Sequence, residues 1–286
     1  MAANLEISFS KFHGLANDFL VTRSLGLPQA LPDLARAICA RHIGVGADGL
    51  LAVMSPRNKR HHARVRFFNA DGSEAEMSGN GIRCAAAFLL AHMRVQGPLM
   101  IETLAGVKSV WPLKVAKGRW TFRVGMGRPI LAPRRIPFKG GKSASAVVGF
   151  PLQTSRGVVP VTVTSMGNPH CTVFVDDFAA LDWRSLGREI ESHRLFPQRT
   201  NVEFVKVLSR REIEVRFWER GVGETMSSGT GSCGAVVACV LNGRTGRKVR
   251  VRTPAGPLEV AWEEKGEVTL TGPVEQIARG TYHYRG

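Results

Sequence analysis

Two stretches, 65-VRFFNADGSEAEMSGNG-81 and 215-VRFWERGVGETMSSGTG-231, align without a gap at an offset of 150 residues. Val65-Arg66-Phe67 returns as Val215-Arg216-Phe217, Glu74 as Glu224, and Ser78-Gly79-x-Gly81 as Ser228-Gly229-x-Gly231. Each copy reads as a strand, a turn, and a serine–glycine step that opens a helix. At 286 residues the chain has room for two domains. The large offset points to duplication of a whole domain, and a single repeat is too little for a solenoid.

The rest of the chain fits that frame. Short strands separated by glycine turns are expected at 17–23, 63–68, 119–124, 159–166, 171–175, 201–208, 212–218 and 248–252. Helices are expected at 32–42, 82–94, 179–193 and 232–243. The helices at 82–94 and 232–243 follow the twin S-G-x-G steps and are apolar nearly all round, as a helix enclosed by a sheet would be. The helix at 179–193 is amphipathic and belongs on a surface. The segment 125-GMGRPILAPRRIPFKGGK-142, rich in Gly, Pro and basic residues, reads as a linker. The expected organisation is a first domain over 1–127, a second over 128–272, and a tail over 273–286 returning to the first.

Composition narrows the function classes. With 44% apolar and 22% charged residues the chain is globular. Its five cysteines, Cys39, Cys84, Cys171, Cys233 and Cys239, contain no C-x-x-C pair, so neither a disulfide framework nor a zinc site is indicated. A reduced, cytoplasmic setting fits best. No signal peptide and no apolar run long enough to span a membrane is present. The net charge of +16 comes mostly from arginine spread along the chain. No nucleic-acid recognition motif accompanies it, so a basic surface with an anionic small-molecule substrate is the expectation, without nucleic acid or membrane.

The twin steps carry the chemistry. A helix N-terminus leaves backbone N–H groups without partners and favours negative charge, and glycine lets a ligand approach closely. Serine and glycine also suit plain helix capping. Duplication favours the ligand reading: two facing domains would aim two such ends at one interdomain cleft and present one side chain to each face of a single carbon. Other signals are weaker. Both 44-GVGADG-49 and 229-GTGSCG-234 match G-x-G-x-x-G, but neither lies in a parallel strand–helix–strand unit with a ribose acid. His61 and His62 read as solvated loop residues, and no histidine set has metal-ligand spacing.

The segments 11-KFHGLANDF-19, 44-GVGADGLL-51, 67-FFNADGSEAEMSGNGIRC-84, 165-SMGNPH-170, 196-FPQRTNVEF-204 and 218-WERGVGETMSSGTGSC-233, in this order, resemble diaminopimelate epimerase, a pyridoxal-phosphate-independent epimerase family, over nearly the whole chain. The resemblance implies an α/β fold of two similar domains. Each would be a curved, mostly antiparallel sheet around a central helix, with the active site in the cleft. It implies cofactor-free inversion of LL-diaminopimelate to the meso isomer, a precursor of lysine and peptidoglycan. One thiolate removes the α-proton and an opposing thiol returns one. By the same resemblance, His170 and Glu219 assist the thiols. Asn17, Asn69, Asn168, Asn201, Glu219 and Arg220 hold the distal end of a diamino dicarboxylic acid. Backbone N–H groups of Gly79, Asn80, Gly229 and Thr230 hold the reacting carboxylate. A homodimer is an assembly the family allows.

At both thiol positions the chain departs from the family: it carries Ser78 and Ser228. A thiol titrates near about 8.5, lowered further at a helix N-terminus, whereas an alkoxide is out of reach at neutral pH. Epimerisation by the chain as written is therefore expected to be absent or very weak. The two serines admit two accounts. One is a Cys-to-Ser form of the enzyme. The other is a natural serine/serine relative that binds a diamino acid without epimerising it, or isomerises another amino acid.

Overall fold

The computed structural model describes residues 4–23, 30–93, 95–141, 145–264 and 266–285. Strands dominate, with four α-helices among the described residues: α1 (Leu31–Cys39), α2 (Gly79–His92), α3 (Trp183–Glu191) and α4 (Gly229–Leu241). The chain divides into two compact units, one of residues 1–124 and 272–286, the other of residues 125–271. Each strand and helix expected from sequence is present, with shifted ends. α2 and α4 begin three residues earlier than periodicity alone suggested, because their first turns are Gly79-Asn80-Gly81 and Gly229-Thr230-Gly231. Arg94, at the end of the expected second helix, lies outside the described residues.

In the first unit, strand Asn4–Gly14 pairs antiparallel with Asn17–Arg23. That strand runs parallel to Gly49–Met54, which pairs antiparallel with Ala63–Asn69. α2 fills the inside of this sheet: eleven consecutive residues, Gly79 to Leu89, are buried. Small side chains make such enclosure feasible, since Ala85, Ala86 and Ala87 bring the strands close to the helix axis. α1 packs on the outer face with Leu31, Leu34, Ala35, Ile38 and Cys39 buried, the i, i+3, i+4, i+7, i+8 stripe of a surface helix.

The second unit repeats the plan. Strand Gly157–Ser165 pairs antiparallel with Pro169–Phe174, which runs parallel to Asn201–Ser209, itself antiparallel to Glu212–Glu219. α4 is enclosed as α2 is, with Cys233 to Cys239 buried without interruption. α3 buries Trp183, Leu186, Gly187, Ile190 and Glu191, the same five-position stripe as α1. The fold is thus α/β, with each sheet wrapped around its own central helix.

Two expectations need correction. The described part of 125–142 is not a loose tether. Ile130 bridges to Ser165, Pro133–Arg135 forms a 3-10 turn, and Ile136 and Phe138 are buried in the second unit's core beside Phe150 and Phe196. Lys142 lies outside the described residues. A Gly/Pro-rich composition conceals those two apolar anchors. His61 and His62 are indeed in a loop, but they are not freely solvated. His61 Nδ1 lies 2.8 Å from a Glu102 carboxylate oxygen, and His62 Nδ1 accepts from the Met100 amide at 3.0 Å.

Arginine abundance also acquires a structural role. Arg123, Arg184, Arg188, Arg216, Arg244 and Arg247 each lie over an aromatic ring, of Trp111, Trp183, Trp218, Phe178, Phe174 and Trp262 respectively. A planar guanidinium stacks this way and an ammonium does so less well.

The 44-GVGADG-49 glycines serve packing. A Cβ on Gly44 would come within 2.3 Å of the Ala37 carbonyl oxygen and 2.7 Å of that of Ile38, at the end of α1. Gly44→Ala is therefore expected to destabilise the protein by about 1–3 kcal/mol, read as a lower midpoint in denaturant unfolding. An unchanged midpoint would contradict this close approach.

Candidate active site

The serine–glycine step has the same local geometry in both units. Ser78 and Ser228 are the N-caps of α2 and α4, with φ/ψ of −127°/130° and −130°/124°. The Ser78 hydroxyl accepts from the Gly81 amide at 3.0 Å, and that of Ser228 from the Gly231 amide at 3.2 Å. A Cβ on Gly81 would meet the Phe67 ring at 3.1 Å, and one on Gly231 the Phe217 ring at 3.0 Å. The duplicated Phe and the second duplicated Gly are therefore one contact. It brings the helix's first turn against the strand, where a side chain would push the ring aside by a few tenths of an ångström.

Around this shared frame the two units differ. In the first, Asn17 sits just after the tight turn Leu15–Ala16, both of whose residues have positive φ (54° and 62°) without being glycine. Such a conformation costs about 1–2 kcal/mol per residue and is offset here by a hydrogen-bond chain. Arg41 donates to Asp48 at 2.7 Å, Asn17 Nδ2 donates to the other Asp48 oxygen at 2.9 Å, and Asn80 Nδ2 donates to Asn17 Oδ1 at 3.2 Å. Arg83, fully buried, donates to Asn80 Oδ1 at 2.8 Å and to the Gly79 carbonyl at 2.9 Å. The amides of Asn17 and Asn80 are thereby fixed in direction. Asn69 lies apart, exposed, with its Nδ2 on Ser73 Oγ at 2.9 Å.

In the second unit the chain of contacts is acidic. Ser228 donates its hydroxyl to Glu219 Oε2 at 2.9 Å, and Thr225 donates to Glu219 Oε1 at 2.7 Å. His170 is fully buried; its Nδ1 is 2.6 Å from Glu203 Oε1 and its Nε2 is 2.9 Å from Asn168 Oδ1. Asn168 Nδ2 reaches the Thr230 hydroxyl at 3.5 Å. Asn201 is committed to the backbone, donating to the Pro169 carbonyl at 2.9 Å and accepting from the Arg220 amide at 3.0 Å. The Arg220 side chain is exposed and touches the Gln198 carbonyl at 3.2 Å, which leaves most of its fork available to a carboxylate.

Thus Ser78, Gly79, Asn80 and Asn17 come together in one unit, and Ser228, Gly229, Thr230, Glu219, His170, Asn168, Asn201 and Arg220 in the other. The sequence reading left four residues unassigned: Asp48, Arg83, Thr225 and Glu203. Two of them carried a signal, since a charged residue in the apolar runs 82-IRCAAAFLL-90 and 201-NVEFV-205 must be buried and paired.

Burial pushes Glu219 above its ordinary value, opposed by the Thr225 and Ser228 hydroxyls and by the charge of His170. Burial likewise raises Glu203, opposed by His170. All five cysteines are buried, and burial pushes Cys39, Cys84 and Cys239 up to about 12. Among the described residues, no group of three or more His, Cys, Asp or Glu is arranged to hold a metal ion.

The raised Glu219 gives a pH test. Its stabilising contribution is full below the ordinary carboxylate value of 4.5 and is lost as pH rises through the higher folded value. Glutamine cannot ionise. Glu219→Gln is therefore expected to be more stable than the parent at neutral pH, with the difference vanishing below about pH 4.5. Thermal unfolding across that range checks the sign.

Comparison with known proteins follows the same geometry. A family model described as diaminopimelate epimerase matches residues 9–131 and 162–277. The chain is 47% identical over 282 residues to a diaminopimelate epimerase of Pelotomaculum thermopropionicum, covering 97% of this chain and 99% of that protein. It is 46% identical over 276 residues to one of Desulfitobacterium hafniense, covering 94% and 96%. Its fold is similar to a hydroxyproline epimerase from Agrobacterium vitis (TM-score 0.71, 13% identity, 100% and 95% covered). It is also similar to a probable proline racemase from Agrobacterium radiobacter (TM-score 0.72, 17% identity, 96% and 92% covered). These likenesses run through both units and through every segment that carries the site residues, and the chain belongs to the diaminopimelate epimerase family.

Proposed function

We propose that this chain is a diaminopimelate epimerase whose binding apparatus is complete and whose acid and base are disabled by oxygen in place of sulfur. Near-full-length identity to diaminopimelate epimerases carries the substrate class. The Ser228–Glu219 hydrogen bond carries the chemistry: the side chain capping α4 shares a proton with a carboxylate, the arrangement a proton-transferring residue needs.

In this reading LL- and meso-diaminopimelate interconvert at one α-carbon. One capping residue removes the α-proton from one face while the other delivers a proton to the opposite face, so atoms and charge balance without a cofactor. The N–H groups of Gly79, Asn80, Gly229 and Thr230 hold the reacting carboxylate, because both helix N-termini favour negative charge. Arg220, with Asn17, Asn69, Asn168, Asn201 and Glu219, holds the distal amino-acid end. The setting is cytoplasmic, consistent with five buried cysteines and no disulfide among the described residues. The partner in this reading is the small diamino dicarboxylic acid, with no nucleic acid or membrane, and a homodimer is the assembly the family allows.

Serine cannot perform the base step. Its hydroxyl holds its proton far more tightly than a thiol near about 8.5, and Glu219 is too weak a base to remove it. Losing one general base costs about 10²–10⁴-fold, and here both faces lose theirs. The chain as it stands should bind diaminopimelate in calorimetry and show no α-proton exchange in deuterated water. Ser78→Cys with Ser228→Cys should raise exchange and epimerisation by at least about 10⁴-fold. A double-cysteine variant that binds but does not invert diaminopimelate would overturn the substrate assignment.

A further inference from the structure

Glu203 is a buried carboxylate of the second unit that is only half satisfied. It lies on strand Asn201–Ser209 at 1% exposure, and its Oε2 has no hydrogen-bond partner among the described residues. A buried carboxylate in that position penalises folding, and a histidine beside it only partly compensates.

The twin unit shows that the fold does not require it. Phe67 and Phe217 are equivalent through the repeat; Phe67 pairs with Leu51 across its ladder, and Phe217 pairs with Glu203. One strand further, Gly49 pairs with Phe19, and Asn201 pairs with His170. Glu203 therefore occupies the place of Leu51, and His170 the place of Phe19, both apolar and buried. The same sheet position that one unit fills with a Phe–Leu pair the other fills with a His–Glu pair.

α4 is shaped for that pair. A Cβ on Gly231 would lie 3.0 Å from Glu203 Oε1, and one on Gly234 would lie 3.0 Å from both Cβ and Cγ of His170. By the offset of 150, Gly234 corresponds to Cys84 in α2. The second helix has thus given up a side chain where the first keeps one, and the space is taken by the imidazole. This accounts for the 229-GTGSCG-234 spacing as packing around a histidine rather than around a phosphate.

We propose that Glu203 is a positioning residue for the reaction: its carboxylate accepts the Nδ1 proton of His170, fixing the ring and leaving Nε2 as the proton-accepting nitrogen beside Asn168 and Thr230. Imidazole is ordinarily the stronger base of the two by about two pH units, so a proton shared over 2.6 Å sits on nitrogen. Asn168 completes the arrangement when its amide is turned to donate Nδ2–H to Nε2 and accept from the Thr230 hydroxyl, an orientation interchangeable with its half-turn alternative. Among the described residues, the carboxylate of Glu219 also faces this pair and raises Glu203 further. The proposal deepens the proposed function and rests on it, together with the role the family resemblance gives His170 beside the capping residues.

Two measurements separate the proposal from that function. Nitrogen NMR of histidine-labelled protein, with His170 assigned from the His170→Phe spectrum, needs no turnover. Neutral His170 should be mainly the Nδ1–H tautomer, Glu203→Gln should retain it, and Glu203→Leu should lose the bias. A His170 protonated mainly at Nε2, or a tautomer unaffected by Glu203→Leu, would overturn the assignment. In the Ser78→Cys, Ser228→Cys background, Glu203→Leu should lower kcat by about 10²-fold with KM little changed, and an unchanged kcat would equally overturn it. His170→Phe with Glu203→Leu copies the twin's pair, and its Tm should be no lower than the parent's. If the double-cysteine protein does not invert diaminopimelate, the proposed function fails while the tautomer result still decides the role of Glu203.

Discussion

Each unit depends on one contact, the last glycine of the S-G-x-G step pressed against a phenylalanine of the preceding strand. Gly81 against Phe67 and Gly231 against Phe217 are so close that a Cβ would sit only 3.1 and 3.0 Å from the ring. That closeness fixes where the central helix begins, and so where its unpaired N–H groups point. It also explains why the serines have nearly the same φ and ψ in two units whose sequences otherwise differ widely. Enclosure of the helix follows, helped by the run Ala85-Ala86-Ala87 in α2 and the small residues of α4.

On that shared frame the units have diverged in charge. In the first, Arg66 and Glu74 form a two-pronged ion pair with each other. The corresponding residues of the second choose new partners, Arg216 with Glu214 and Glu224 with Arg184. The interior has diverged further. One unit carries a neutral amide chain through Asn17 and Asn80, anchored by Asp48 and Arg83; the other carries carboxylates at Glu203 and Glu219 around His170. The duplication thus supplied two similar scaffolds, and substitution inside them left one interior neutral and the other acidic.

Much of the fold was legible because it rests on local patterns. Alternation marked the strands, the nine-residue stripes of α1 and α3 marked the outer helices, and all-round apolarity marked α2 and α4. The linker reading failed at Ile136 and Phe138, where two apolar side chains outweigh the surrounding Gly and Pro. The histidine reading failed at His61 and His62 because their partners, Glu102 and Met100, lie about forty residues away, beyond any local pattern. Glu203 was visible only as an anomaly, a charge in an apolar run.

By itself the sequence determined the duplication, the serine–glycine steps and the family. These are properties of residue identity and spacing. Only the tertiary structure decided which proton meets which acceptor. Glu203 reaches His170 across a parallel pairing that spans 33 residues, and Asn80 reaches Asn17 across 63. Hydrogen bonds at that separation are set by ladder register and burial. Burial then decides how strongly each carboxyl resists its charge.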